Sequence, residues 1–254
     1  MDMPRFFVRQ DQIENDTVIL KGDDAHHIAR SLRMAVGESI TVCDMQGYEY
    51  DCRISGFDED VRVFAQILSV THSDTEPPCK IYLFQALSKG DKLDTVIQKA
   101  VECGVYRIIP FESERCVVKT KDAAEDRKTD RRRRIAAEAA KQCGRSIIPE
   151  VGVTVSFEEM LSLACECDVR LFCYEGDGTR PLGHVIRERL VPDSEGKYPT
   201  VAVVIGSEGG FSQKETREAQ ERGMETVGLG KRILRTETAP IFVLSALAYE
   251  TELK

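Results

Sequence analysis

Residues 201–250 read VAVVIGSEGGFSQKETREAQERGMETVGLGKRILRTETAPIFVLSALAYE, and this stretch decides the fold. An apolar strand is predicted at Val201–Ile205, and it is followed by a glycine loop and by a helix from Gln213. A second strand, predicted at Thr226–Leu229, again leads through a glycine-bearing loop into a helix. This alternation indicates a largely parallel sheet that is covered by helices on both faces.

The same alternation extends back to residue 79. Ser156 and Ser212 each precede a glutamate by three residues, which is the spacing of a capping box, so a helix is expected to begin after each serine. Apolar periodicity predicts the remaining elements. They are strands at Ile81–Leu87, Arg107–Phe111 and Val169–Tyr174, and helices at Gly90–Cys103, at Asp130–Cys143 and from about Ala239.

Residues 1–72 are predicted to form a separate β-rich domain, a small barrel or sandwich. One helix is expected within it, at about Asp24–Met34. Residues 73–78 read SDTEPP, and two prolines in a polar cluster suit neither a helix nor a strand. We therefore expect a linker at 73–78. The strands before it are predicted at Thr17–Leu20, Ser39–Asp44, Tyr48–Ile54 and Val61–Ser69.

Composition indicates an ordinary globular protein, because 42% of the 254 residues are hydrophobic and 31% are charged. Neither a signal-peptide pattern nor an apolar run of roughly 18–20 residues occurs, so we expect a cytoplasmic protein with no membrane partner. The nine cysteines are scattered and form no CxxC motif, which favours reduced thiols and no metal site.

The distribution of charge is more informative than the net charge of −8. Residues 1–78 hold 7 basic and 15 acidic side chains, whereas residues 115–145 hold 11 basic and 5 acidic ones. The run Arg131–Arg134 covers a full helical turn, so its side chains cannot all face a core. Both a solvated face and a phosphate-contacting helix fit that run, which keeps an RNA partner open.

Three loops follow predicted strands at the edge where parallel sheets bind ligands: Tyr174–Gly176, Ile205–Gly210 and Leu229–Thr238. Their glycines permit sharp turns and a close approach of backbone to a ligand, although Gly206-x-x-Gly209-Gly210 alone also fits a plain turn. It is neither a Walker loop nor a GxGxxG fingerprint. Arg235, near the positive end of a helix, favours an anionic or carbonyl-bearing ligand.

The start and the surface of the last helix each allow two interpretations. Thr236 or Thr238 is expected to cap it, and Glu237 either benefits from the helix dipole or has a part in catalysis. Residues 241–249 are apolar almost all round, so this helix is either internal or packed against a second subunit. The second possibility predicts a homodimer.

Taken together, these segments resemble the bacterial 16S ribosomal RNA (uracil-N3)-methyltransferases of the RsmE type, over essentially the whole chain. The motifs IGSEGG at 205–210 and LRTETA at 234–239 are specific to that family, although Ser207 stands where proline is more frequent. The other matching segments are MPRFF at 3–7, HH at 26–27, LRM at 32–34, Lys92, QKA at 98–100, ECG at 102–104, SERC at 113–116 and AAKQCGR at 139–145.

The resemblance implies an α/β protein in which a PUA-like β-barrel RNA-binding domain, residues 1–72, precedes a SPOUT methyltransferase domain, residues 79–254. Such a domain carries a C-terminal trefoil knot that holds S-adenosylmethionine, and it acts as a homodimer. The implied reaction is methylation of N3 of a specific uridine in 16S rRNA, within the 30S subunit or in free rRNA.

The resemblance also implies roles for individual residues. Arg235 would stabilise the negative charge of a uracil that has lost its N3 proton, and Glu208 or Glu237 would accept that proton. Cofactor contacts are expected from Tyr174, Glu175, Ile205, Gly206, Glu208, Gly209, Gly210, Leu229, Gly230, Ile233, Leu234, Arg235 and Thr238. RNA contacts are expected from Arg5, Arg9, Arg30, Arg33, Arg115, Arg131, Arg132 and Arg145.

Three other functions fit parts of the sequence. A related SPOUT enzyme could act on transfer RNA or on another ribosomal site. A noncatalytic RNA-binding or ribosome-assembly factor could use the same barrel and arginine-rich helix, although the intact glycine loops argue against it. A dinucleotide-dependent oxidoreductase would need its glycine fingerprint near the first strand of the α/β region, where none occurs.

Overall fold

The computed structural model describes residues 3–58, 62–118 and 122–254, with side chains from 125 onward in the last range. The chain divides into two compact units, which are described separately. The first comprises Met1–Glu76 and Ala140–Ile148, and the second comprises Pro77–Ala139 and Pro149–Lys254. No helix formed by the described residues is long and apolar enough to cross a lipid bilayer.

Six strands of the described residues form one sheet in the first unit, in the order β1-β4-β5-β6-β3-β2. Strands β1 and β4 are parallel, and the other neighbouring pairs are antiparallel. Val61, predicted to begin the last strand, lies outside the described residues. The strands are β1 (Arg5–Phe7), β2 (Ile13–Glu14), β3 (Thr17–Leu20), β4 (Ser39–Cys43), β5 (Tyr48–Phe57) and β6 (Val63–His72).

The core of the first unit follows from the two-residue period of its strands. Val18 and Leu20 of β3 are buried because alternate side chains lie on one face of a sheet. The predicted helix at Asp24–Met34 begins two residues earlier and ends three residues earlier than expected. It consists of α1 (Gly22–His26) and a π-helical turn at His27–Ser31. Arg33 has a positive φ of 54°, a left-handed conformation that a helix cannot contain.

Eight strands of the described residues form a second sheet, in which every neighbouring pair is parallel. Their order is β10-β8-β7-β13-β11-β14-β12, with β9 paired to β8. The predicted parallel sheet and the mixed α/β class are thereby confirmed. The strands are β7 (Ile81–Ala86), β8 (Arg107–Glu112), β9 (Glu150–Val151), β10 (Val155–Ser156), β11 (Val169–Cys173), β12 (Arg180–Pro181), β13 (Val201–Ile205) and β14 (Glu225–Gly228).

Two helices of the remaining chain, α4 and α6, begin at recognisable sequence signals. Ser156 and Ser212 both form the predicted capping boxes, with Glu159 and Glu215 respectively. Two helical segments lacked such a signal: the first eight residues of α3, which are mostly polar, and α5, which is short and contains a glycine. The helices are α2 (Lys92–Glu102), α3 (Asp122–Cys143), α4 (Phe157–Ala164), α5 (Leu182–Arg189), α6 (Gln213–Glu221) and α7 (Thr238–Glu252).

The centre of the parallel sheet positions a ligand site. Strands β13, β11 and β14 are neighbours, so their carboxyl ends meet at one edge of the sheet. The buried strand β13 is apolar along its whole length, as a strand covered on both faces requires. The loops that follow these three strands are therefore brought together by the topology of the sheet.

Candidate functional site

A cavity of about 450 Å³ lies at the carboxyl ends of β11, β13 and β14. This volume falls in the range of sites that hold small molecules. Loop residues after the three strands line it, together with Lys92 at the start of α2. Eleven of the thirteen residues predicted to contact a cofactor belong to this lining; Gly209 and Thr238 do not.

The first glycine loop, residues 206–210, is held by a tight turn. The Gly210 N–H donates to the Ser207 carbonyl over 2.9 Å, and Gly210 has a φ of +62° that glycine adopts without strain. A Cβ at Gly210 would overlap Oε1 of Glu175. Glycine at this position therefore lets the Glu175 carboxylate lie against the loop backbone inside the cavity.

Two further contacts anchor the same loop. The ring of Phe211 is buried, with its centroid 4.1 Å from that of Phe172. Arg115 Nη1 donates to the Gly209 carbonyl over 3.0 Å, and a Cβ on Gly209 would lie 3.1 Å from the Arg115 Cβ. Gly209 therefore packs against Arg115 and does not belong to the cavity lining, and its contact with a cofactor stays a prediction.

The Thr236 hydroxyl joins the two glycine loops. It donates to the Gly206 carbonyl over 2.7 Å and accepts from Gln85 Nε2 over 3.1 Å. Gln85 and Thr236 are both buried. Sequence reasoning missed Gln85, although one polar side chain in the otherwise apolar strand IYLFQA is a signal that could have identified it.

The predicted caps of the last helix are wrong. Thr236 uses its hydroxyl on the first loop, and Thr238 is exposed and already belongs to α7. Glu237 precedes the helix but makes no capping hydrogen bond with its side chain. Capping therefore does not account for Glu237, and its position in the cavity lining becomes more significant.

Lys92 links the two candidate carboxylates of the cavity. Its Nζ lies 2.8 Å from Glu208 Oε1 and 3.9 Å from Glu237 Oε2. The Lys89 N–H also donates to Glu208 Oε1, over 3.1 Å. Among the described residues, Glu237 Oε2 is buried without a hydrogen-bond partner. Glu208 Oε1 therefore accepts hydrogen bonds from Lys92 Nζ and from the Lys89 N–H, whereas Glu237 Oε2 accepts none from the described residues.

These contacts determine the ionisation of Glu208. Partial burial raises the pKa of its carboxyl, but the hydrogen bond from Lys92 and those from backbone N–H groups outweigh burial, so the pKa lies below its ordinary value. Glu208 is therefore ionised at neutral pH. A carboxylate that is stabilised in this way is a weaker proton acceptor than one without donors.

Arg235 differs from Lys92 and Glu208 because its side chain makes no short polar contact with the described residues. Its side chain is 83% exposed, and its Nη1 lies 3.9 Å from Glu237 Oε1, which is too long for a hydrogen bond. Arg235 also lines the cavity. The guanidinium is therefore available to a bound molecule.

The eight arginines predicted to contact RNA fall into two groups. Arg132 and Arg145 are buried and form ion pairs with Glu125 and Glu76. These two arginines hold their own unit together, so we no longer expect them to contact RNA. The others are at least partly exposed: Arg5, Arg9, Arg30, Arg33, Arg115 and Arg131.

Replacing Lys92 with Met is expected to raise the pKa of Glu208, because burial would then act with less opposition. A carboxyl whose pKa is lower in the folded protein than in the unfolded chain stabilises the folded state at pH values above its unfolded pKa. This contribution is lost as the pH falls through the pKa of the carboxyl in the folded protein. The wild-type protein should therefore exceed the variant in free energy of unfolding at neutral pH, and the difference should shrink on acidification. Carbon-13 NMR titration of Glu208 and urea unfolding at several pH values measure both effects.

The control for this experiment is Lys99→Met, which removes an ion pair between Lys99 and Glu102 on the same helix. It changes the net charge equally but should leave the titration of Glu208 as it is in the wild-type protein. Identical Glu208 titrations in the wild-type and Lys92→Met proteins would refute the assignment.

Comparisons with known proteins agree on one family. A family model described as an RNA methyltransferase domain matches residues 75–248, and one described as an RNA methyltransferase PUA domain matches residues 20–60. The ribosomal RNA small subunit methyltransferase E of Bacillus subtilis (strain 168) is 36% identical over 254 residues, which cover 99% of this chain and 98% of the relative.

Two solved structures are similar over the full length. A methyltransferase from Legionella pneumophila, in complex with bound S-adenosylmethionine, is 32% identical, with a TM-score of 0.85 and 98% of each chain covered. A ribosomal RNA small subunit methyltransferase E from Neisseria gonorrhoeae, also bound to S-adenosylmethionine, is 31% identical, with a TM-score of 0.82 and the same coverage. With the family match over most of its length, this chain belongs to the RNA methyltransferase family.

Proposed function

We propose that this protein transfers the methyl group of S-adenosylmethionine to N3 of a specific uridine in the 16S rRNA of the small ribosomal subunit. The observation that carries the proposal is the convergence of three loops, from β11, β13 and β14, on one cavity that Arg235 and Glu237 also line. Full-length relatives named ribosomal RNA small subunit methyltransferase E support the choice of substrate.

The cavity fits the cofactor on structural grounds. Its volume of about 450 Å³ suits a nucleoside with an amino-acid arm. At Gly210 and Gly228 a Cβ would overlap Glu175 Oε1 and crowd Thr179 Oγ1, so both glycines keep the cradle open. The Glu175 carboxylate can accept hydrogen bonds from hydroxyl or ammonium groups, and the loop backbones at 205–206 and 229–230 can pair with a base.

When bound, the cofactor supplies a methyl group that is already activated by a sulfonium, so the protein's main task is alignment. The harder requirement is removal of the uracil N3 proton. We assign this proton to Glu237, because it lines the cavity and its carboxylate oxygens lie no closer than 3.9 Å to Lys92 and Arg235. Glu208, in contrast, already accepts hydrogen bonds from Lys92 Nζ and the Lys89 N–H. The pair of electrons left on N3 then forms the bond to the methyl carbon, and the carbon–sulfur bond breaks towards sulfur.

Arg235 has a different task in this mechanism. Loss of the N3 proton spreads negative charge over O2 and O4 of uracil, and a guanidinium presents parallel donors to such oxygens. Arg235 lines the cavity, and its side chain is free of short ion pairs among the described residues. It would orient the uracil and stabilise the anion as it forms.

The architecture implied by the family is part of the proposal. We place a PUA-like barrel that binds RNA at residues 1–72, a linker at 73–78 and a SPOUT domain with a C-terminal trefoil knot at 79–254; the two family matches support this division. The RNA-contacting arginines in the barrel would be Arg5, Arg9, Arg30 and Arg33, with Arg115 and Arg131 in the second domain.

A homodimer that works on 30S particles in the cytoplasm completes the proposal. On and just after α7, the residues Phe242, Tyr249 and Leu253 are 45%, 58% and 75% exposed. So much exposed apolar surface on one helix favours a protein partner, and a second copy of this chain is the natural one for a family of homodimers.

Methyl transfer to ribosomal particles tests the function directly. Purified protein and tritiated S-adenosylmethionine are incubated with 30S subunits from cells that lack the activity, and the labelled nucleoside is identified by mass. We expect 3-methyluridine in 16S rRNA. Label in transfer RNA would instead support a related enzyme with another target, and binding of the particle without transfer would support an assembly factor.

A further inference from the structure

The mouth of the cavity carries two cations that the mechanism above does not use. Lys231 and Arg232 are exposed and belong to the cavity lining. Neither forms an ion pair with a carboxylate of the described part of the chain. Three positions further on, the same loop presents Arg235 to the cavity.

The arginine run on α3, which is the most basic segment of the sequence, has a different environment. Arg131 lies 2.7 Å from Asp94, Arg132 lies 2.9 Å from Glu125, and Arg133 Nε donates to the Val151 carbonyl over 3.2 Å. Among the described residues, only Arg134 of this run has no such contact. Cations that are already paired gain less from a phosphate, because the existing carboxylate contact must be exchanged for the new one. Lys231 and Arg232 have no such contact to give up.

Ile233 adds an apolar element to this mouth. This residue is 86% exposed, although it also lines the cavity. Surfaces that bind single-stranded nucleic acids combine cations, which follow the phosphates, with apolar or aromatic side chains, against which bases lie. Lys231, Arg232 and Ile233 supply both components in three consecutive residues, which we call the rim.

We propose that the rim binds single-stranded RNA next to the target nucleotide, with Lys231 and Arg232 on the flanking phosphates and Ile233 against a base. This inference rests on the proposed function and deepens it. The N3 of a uridine in a duplex is engaged in its base pair, so methylation at N3 requires an unpaired or extruded base. A rim at the entrance can hold the backbone while Arg235, in the same loop, meets the uracil inside.

A competing role for the two cations is recognition of the cofactor's own carboxylate. The two roles differ in what they predict. Cations that hold phosphates affect the binding of RNA and its dependence on salt, because each contact releases condensed counterions. Cations that hold the cofactor affect the affinity for S-adenosylmethionine and leave the salt dependence of RNA binding unchanged.

The decisive variant is the double substitution Lys231→Gln/Arg232→Gln. Methyl transfer to 30S subunits is measured at several KCl concentrations, and S-adenosylmethionine binding is measured separately by calorimetry. We expect the KM for 30S subunits to rise about tenfold, kcat to change less than about twofold, and the slope of log(kcat/KM) against log[KCl] to become shallower by about 1.4 for two lost phosphate contacts. Cofactor affinity should stay within about twofold of that of the wild-type protein.

A matched control is Arg187→Gln/Arg217→Gln, which removes the same charge from two exposed arginines outside the cavity lining. It should behave as the wild-type protein. A second variant, Ile233→Ser, should raise the KM for 30S subunits without changing the salt slope, because it removes no charge.

Three results would overturn the inference. They are a double variant with the KM and salt slope of the wild-type protein, a loss of cofactor affinity in place of a rise in KM, and an equal effect of the control pair. A wild-type protein that binds S-adenosylmethionine but methylates no RNA would contradict the proposed function itself.

Discussion

Replacing Arg235 with Ala is expected to lower the rate of methyl transfer at saturating substrate by roughly 100- to 1,000-fold. This is the usual cost of removing one donor that meets charge as it develops in the transition state, and it applies to Arg235 once bound uracil orders the guanidinium. The affinity for S-adenosylmethionine should change by less than about threefold, because the loop backbones are expected to supply most of the cofactor contacts. Single-turnover transfer to 30S subunits and calorimetric titration of the cofactor separate the two quantities.

Arg235→Lys is the matched variant, since it keeps the charge but loses the planar pair of donors. We expect about a tenfold loss of rate from it, which lies between the wild-type protein and Arg235→Ala. The side chain is exposed and makes no short contact among the described residues, so the free energy of unfolding should hardly change. An equal loss of cofactor affinity and of rate in Arg235→Ala would exclude the assigned role.

Replacing Gly210 with Ala should weaken cofactor binding by about 10- to 100-fold. A Cβ at this position would overlap Oε1 of Glu175, so the carboxylate must move away from the loop. Losing a hydrogen bond from a charged group costs about 1.5–3 kcal/mol, which corresponds to that range of affinity. The positive φ of +62° adds a strain of about 1–2 kcal/mol to the folded state.

The substitution Gly178→Ala measures the backbone strain alone. Gly178 has a φ of +78°, has open space where a Cβ would lie, and is not in the cavity lining. The Gly178→Ala substitution should therefore lower the free energy of unfolding about as much as Gly210→Ala does. It should not change the dissociation constant for S-adenosylmethionine. Urea unfolding and calorimetry of both variants make the comparison. Equal cofactor affinity in the two variants would show that Glu175 does not contact the cofactor.

Local signals in the sequence predicted much of the fold. The strands at Thr17–Leu20 and Val201–Ile205 and the helix from Gln213 were located to the residue, because apolar alternation, an apolar run and a capping box are each short-range patterns. The beginning of α3 was missed because DAAEDRKT has no apolar stripe, although most of its residues tolerate a helix. The bounds of a strand or helix could be predicted wherever the segment carries its own hydrophobic pattern.

The site was predictable in outline because the topology of parallel sheets gathers the loops. The contacts between the residues of the site could not be predicted from the sequence. Gln85 and Thr236 are 151 residues apart, and Lys92 and Glu208 are 116 residues apart, so only the packed fold brings them together. The pairing of Arg145 with Glu76, 69 residues away, has the same origin, because whether a cation is free depends on its neighbours in space.

The hydroxyl of Thr236 has a thermodynamic consequence for the two loops that it joins. Opening either loop breaks the hydrogen bond between Thr236 and the Gly206 carbonyl, so we expect the opening of one loop to make the opening of the other easier. A molecule that contacts only one loop then reduces the conformational entropy that a second molecule must remove from the other. Cofactor and RNA are therefore expected to bind cooperatively, and each should tighten the other by the same factor.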